Sequence, residues 1–321
     1  MNNETLNPSL ETPSFNINRI KRRMKSMGWG LFWLMFAAQF LAVIPLLIFN
    51  YLASNGFIDA TLAQWLATDI GIYGIGLPLF YMVIKHLPRY QLEDKKYKFD
   101  LKRVIYTSLV LLGIMYFFNM IALGITSIIQ LMTGREIVNL LENTIDSTAS
   151  LYTFIFVVIV APIMEEILFR KMIIDRTFDL GDKFAIIYSS LAFGLFHGNL
   201  NQTIYATMLG VGLAYIYIKS GNIKYPILFH IIINFFGSFL MPLLSTLHES
   251  FNIVVSVFVI MCIIISIYTF IKYHKKISLD NGNMPLSTKQ KLKIGMFTPG
   301  FIIYTIVFIL LIIFILFFYT N

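Results

Sequence analysis

Three groups of polar side chains interrupt otherwise apolar stretches of this chain, in types and spacings suited to acid–base chemistry. The first is Glu165-Glu166-Ile167-Leu168-Phe169-Arg170, closing an apolar run that begins at Leu151. The second is Phe193-Gly194-Leu195-Phe196-His197, and the third is His230-Ile231-Ile232-Ile233-Asn234. A charge at mid-bilayer costs about 2.5–3.5 kcal/mol even on lenient insertion scales, so such residues are paired, hydrated or functional. Glu166 and Arg170 stand four residues apart and share a helix face, with the acid on the N-terminal side, which makes them a structural pair. Glu165 points about 100° away around the helix and is left as the free carboxylate. With His197 it could hold and deprotonate a water that attacks an amide carbonyl. His230 and Asn234, again on one face, could donate hydrogen bonds to the resulting oxyanion, an effect of about 3–4 kcal/mol per donor. This first arrangement requires no cofactor. In the alternative, Glu165, His197 and His230 ligate a divalent metal such as zinc, which activates the same water. The residue types leave both arrangements open.

Other hydrolytic chemistries find no footing here. There is no His-Glu-x-x-His helix and no Gly-x-Ser-x-Gly elbow. A Gly-x-Gly-Asp segment is also missing; the nearest, Leu180-Gly181-Asp182, falls in a connection. The single cysteine, Cys262, has no motif histidine in its own helix and can form no internal disulfide.

The elements that must position these groups are transmembrane helices. The chain is 57% hydrophobic and 13% charged, with a mean hydropathy of +0.74, where a soluble domain carries about 25% charged residues. Apolar runs at 29–52, 65–84, 104–132, 151–178, 184–197, 203–218, 226–244, 251–271 and 300–319 predict an all-α bundle of about nine helices. The runs are continuous rather than alternating, which argues against a β-barrel. Segments 19–25, 85–103, 170–183, 219–224 and 272–293 hold 24 of the 25 Lys and Arg residues, all but Arg135. Such a partition predicts a multi-pass cell-membrane protein with a cytoplasmic N-terminus. It also explains the +8 net charge through the bilayer, with no nucleic-acid partner. The expected organisation is a cytoplasmic tail over 1–28, a bundle over 29–271 with its catalytic core at about 150–244, a cytoplasmic linker over 272–299, and a last helix over 300–321.

Depth brings the groups to one level. Glu165 lies 13 residues before Phe178, and His197 lies 13 residues after Phe184. Each is therefore about 20 Å from the inner face. Pro162 should free the carbonyl four residues back, that of Val158, and such breaks are tolerated in a membrane where they line a cavity.

Taken in this order and at these separations, Glu165-Glu166-x-x-x-Arg170, Phe193-x-x-x-His197 and His230-x-x-x-Asn234 resemble the three motifs of the CPBP family. This is the group of CAAX prenyl endopeptidases and bacteriocin-processing or self-immunity proteins also called ABI. The stretch 193–234, with His197-Gly198-Asn199 and Gly210-x-Gly212, is similar throughout to bacterial members. The resemblance covers roughly residues 150–240 and implies a glutamate-dependent intramembrane endopeptidase acting on a membrane-associated peptide or protein. It implies that Glu165 and His197 activate the water and that His230 and Asn234 form the oxyanion hole. Because the family was long described as metalloendopeptidases, a metal stays open. Lys171 departs from the glycine usual in bacterial relatives, which bears on substrate contacts and not on the chemistry. Two rival readings are a non-catalytic bacteriocin self-immunity or scaffold protein, and a transporter; the latter predicts repeated halves that the sequence lacks.

Overall fold

The computed structural model describes residues 16–92, 99–134, 151–282 and 284–318; Arg135 and the tail as far as residue 15 lie outside them. The described residues form ten helices and no strand. In chain order these are α1 Ile17–Ser54, α2 Ala60–Ile84, α3 Leu101–Thr133, α4 Leu151–Arg176, α5 Asp182–Phe196 and α6 Leu200–Ser220. They continue with α7 Lys224–Leu247, α8 Ser250–Lys276, α9 Thr288–Met296 and α10 Pro299–Phe318.

All nine expected apolar runs are helical where described. Seven helices, α1 to α4, α7, α8 and α10, are long and apolar enough to cross a membrane. The other two fall short for different reasons. α5 has only 15 residues, about 22 Å of rise. α6 has 21, but Asn201, Gln202, Thr203, Thr207 and three tyrosines dilute its apolar content. The protein is a multi-pass membrane protein.

Two boundaries differ from the expectation. The first helix starts at Ile17, capped by the Asn16 side chain, which accepts from the backbone N–H groups of Asn18 and Arg19. The basic cluster 19–25 therefore rides on helix rather than on a tail. At 38 residues, α1 runs about 57 Å, well beyond the roughly 30 Å hydrocarbon layer. The linker, in turn, contains α9, opened by a capping box between Ser287 and Gln290. Lys291 of α9 is buried and donates to the carbonyl of Asn281. Burial pulls its amine below the usual lysine range, against the pull of Asp280 and Asp179.

Among the described residues three apolar clusters fill the bundle, the smallest around Ile174, Ala185 and Tyr217 between α4, α5 and α6; the other two are larger. One joins α1, α2, α4, α5 and α10 through Met24, Leu31, Phe80, Phe169, Tyr188 and Phe308. The other joins α3, α6, α7 and α8 through Leu112, Leu213, Phe229, Ile233 and Cys262. Between α4 and α5 the chain turns at Gly181, whose φ of +101° suits only glycine. The polar end of the bundle is tied there. Arg23 donates to both oxygens of Asp179 at 2.9 Å, Arg89 pairs with Asp175 at 3.0 Å, and Lys219 pairs with Asp182 at 2.8 Å. Cations of the basic segments thus hold the fold together.

Candidate active site

The centre of the molecule is a buried ion cluster on α4 and α7. Arg170 Nε stands 2.9 Å from Glu166 Oε2 with both side chains fully buried, the pair that the i,i+4 spacing predicts. The contact is an ion pair whose atoms lie off the line of a hydrogen bond. Arg170 Nη1 reaches the Ser189 hydroxyl at 3.5 Å, and that hydroxyl donates to the Phe169 carbonyl at 2.7 Å. The guanidinium lies 4.7 Å from the centre of the Phe193 ring, a cation–π contact that replaces part of the lost hydration. The other oxygen of Glu166 takes His230: Nδ1 stands 2.9 Å from Oε1. A carboxylate only accepts, so His230 carries its proton on Nδ1 and turns Nε2 outward. Glu166 is therefore more than half of a structural pair. It orients an imidazole, as carboxylates behind catalytic or ligating histidines do.

Glu165 meets different surroundings. His230 Nε2 lies 3.7 Å from its Oε2, and the Tyr73 hydroxyl of α2 donates to its Oε1 at 3.4 Å. The residue is 9% exposed, and no lysine or arginine contacts it among the described residues. The i,i+4 arithmetic that separated the two glutamates matches these contacts. His197, just past the last turn of α5, is partly buried and donates from Nδ1 to the Phe193 carbonyl at 2.9 Å. That carbonyl fixes the tautomer and leaves Nε2 with a lone pair. His197 lies within electrostatic reach of Glu165, His230 and Arg170. Phe193 binds these parts into one unit, edge-on to both His197 and His230 with ring centres 4.9 and 5.7 Å apart.

Asn234 corrects one detail of the sequence reading. Its side-chain amide donates to the carbonyl of Val157 at 2.9 Å, not to that of Val158. The cause is the helix register. Residues 154–160 form a π-helical turn, and Ala161 N–H bonds back five residues to Phe156. In that register the N–H missing at Pro162 orphans Val157, one residue earlier than α-helical counting gives. Asn234 satisfies the orphan with one amide hydrogen and retains a second.

Three further residues were missed. Asp69 and Tyr73 of α2 and Tyr205 of α6 all lie within electrostatic reach of Glu165. Asp69 and Tyr73 stand i,i+4 inside an apolar run, so the rule that flagged Glu165 applies to them equally. Lys171 belongs elsewhere: it reaches Asp175 at 3.6 Å and the Tyr217 hydroxyl at 3.4 Å.

Of the residues the metal alternative would use, Glu165 is held only at longer range and both histidines keep Nε2, while His230 Nδ1 and both oxygens of Glu166 are engaged within the cluster. Among the described residues, no three of His, Cys, Asp and Glu converge as ligands.

Fold and site together define a multi-pass helical membrane protein with a buried acid–imidazole site between α2, α4, α5 and α7. Residues 147–236 match the family model described as Type II CAAX prenyl endopeptidase Rce1-like. That Rce1-like segment contains Glu165, Glu166, Arg170, His197, His230 and Asn234. Among curated proteins, the chain is 37% identical over 79 residues to the "Putative membrane peptidase YdiL" of Bacillus subtilis (strain 168). The matched stretch takes in 24% of this chain and about a third of that relative's length, 32%. No solved structure matches.

Proposed function

We propose that this protein is an intramembrane endopeptidase that hydrolyses a peptide bond of a membrane-associated peptide or protein, with Glu165 as general base. The observation that carries this reading is the unequal treatment of two adjacent glutamates: Glu166 is held at 2.9 Å by both Arg170 and His230, while Glu165 meets only the Tyr73 hydroxyl and the His230 imidazole at longer range, with no lysine or arginine on it among the described residues. A water between Glu165 and His197 would donate one hydrogen to the carboxylate and the other to the free Nε2 of His197. Its oxygen then attacks the scissile carbonyl carbon as Glu165 takes the proton. The carbonyl oxygen becomes the oxyanion, which the second amide hydrogen of Asn234 stabilises; His230 joins it when its Nε2 takes up a proton from solvent. Glu165 returns the proton to the amide nitrogen, the C–N bond breaks, and acid and amine products leave. No step passes through a metal. The charge partition of the loops supports a cytoplasmic N-terminus, and nothing in the site demands a prenylated substrate.

The test is cleavage of synthetic single-helix membrane peptides by detergent-purified protein, with products read by mass spectrometry. Wild type should cleave at discrete bonds, with and without chelator, and Glu165→Gln should lower kcat by about 10³-fold, within the range of general-base catalysis. Equal turnover by Glu165→Gln, absence of product from wild type, or loss with chelator would contradict this mechanism.

A further inference from the structure

We propose that Tyr73, on a helix outside the Rce1-like segment, is a positioning residue of this site, holding Glu165 in its reactive pose; this rests on Glu165 being the base. Three observations converge on it. The Tyr73 hydroxyl, buried at 9% exposure, gives its hydrogen bond to Glu165 Oε1 at 3.4 Å. That contact leaves Oε2 turned toward His230 Nε2, so the tyrosine occupies one carboxylate oxygen and presents the other.

The second observation is the shape of α2 around it. Residues 70–76 form a π-helical turn with Tyr73 at its middle, and such turns gather at functional sites because they re-aim a side chain. The turn is locked on both sides. A Cβ at Gly71 would stand 2.5 Å from the Ala42 Cβ of α1, so only glycine permits this approach. On the other side, Trp65 stacks on Phe156 of α4 with ring centres 5.9 Å apart and planes 4° from parallel.

The third is the company Tyr73 keeps. Asp69 precedes it by four residues and lies within electrostatic reach of both Tyr73 and Glu165. Its Oδ2 is buried without a hydrogen-bond partner. The hydroxyl thus stands near two carboxylates and bonds Glu165. A neutral donor suits that place, since it fixes a base without neutralising it as a lysine or arginine would.

Steady-state cleavage of the same membrane peptides tests this in four variants. Tyr73→Phe should lower kcat about tenfold, the size of one hydrogen bond to a charged group, while KM stays within about twofold and the thermal midpoint holds. Replacing Tyr73 by 4-aminophenylalanine, which keeps a donor at the para position, should restore kcat even where the phenylalanine variant folds poorly. Tyr81→Phe, at an exposed position of the same helix, should match wild type. Wild-type kcat in Tyr73→Phe, or failure of the para-amino variant to rescue, would overturn the role of Tyr73. Wild-type turnover in Glu165→Gln, the fourth variant, would instead overturn the base assignment beneath it.

Discussion

Glu165 and Glu166 are neighbours in the chain and opposites in the structure. Glu166 has no exposure and is closed in by Arg170 at 2.9 Å and His230 Nδ1 at 2.9 Å. Glu165 meets a tyrosine at 3.4 Å and an imidazole at 3.7 Å, contacts long enough to give way to a water or a substrate. The difference follows from one helical step of about 100°, which aims one carboxylate at the i+4 arginine and the other at Tyr73 of α2 and the Nε2 side of His230 of α7. A membrane interior punishes unpaired charge; in the proposed mechanism the closely paired glutamate supplies stability and the loosely held one the reactivity. Reactive groups are generally stored this way, against a surrounding structure that fixes them.

That contrast can be broken most severely at Glu165, where Glu165→Gln should remove about 10³-fold of kcat with little change in thermal midpoint. Arg170→Met should do the reverse. It leaves Glu166 buried beside His230 with no permanent cation, a loss of about 3–5 kcal/mol for a broken buried pair, visible as a lowered unfolding midpoint in detergent. Asn234→Ala should combine both at smaller size: an oxyanion donor worth about 10²-fold in kcat, and a Val157 carbonyl left unsatisfied at about 1–3 kcal/mol. His197→Ala should fall near the same 10²-fold in kcat, the lower end for an acid–base group, with the peptide's KM unchanged. At the far end, Lys219→Ala removes a pair with Asp182 whose lysine is 35% exposed. A partly exposed pair contributes about 0–1 kcal/mol, so its unfolding midpoint should barely move, and raising the salt should erase the difference.

Much of this site could be read from the chain because helix geometry is local. The Glu166–Arg170 pair and the separate aim of Glu165 need only the 3.6-residue period. What lay hidden was the order of helices around the bundle. No spacing says that α7 faces α4, so the bond from His230 to Glu166 could not be foreseen, nor could the role of Phe193 as the shared wall. The Val157 carbonyl was misassigned to Val158 because a π-helical turn shifts the register by one residue, and the apolar run 154–160 carries no mark of it. Asp69 was different. It sits in an apolar run exactly as Glu165 does, and was legible by the same physical rule. The helix α9 hid for a third reason: five of its nine residues are polar or charged, and its Ser287–Gln290 capping box is a short signal inside a basic linker.

The account is tested most directly by measuring Glu165→Gln and Glu166→Gln side by side, in the same detergent, for peptide turnover and thermal midpoint. It predicts a divided outcome: Glu165→Gln folds as wild type does and turns over about 10³-fold more slowly, while Glu166→Gln melts at a clearly lower temperature. Two variants that behave alike in both measurements, or a Glu165→Gln protein that cleaves at the wild-type rate, would contradict it.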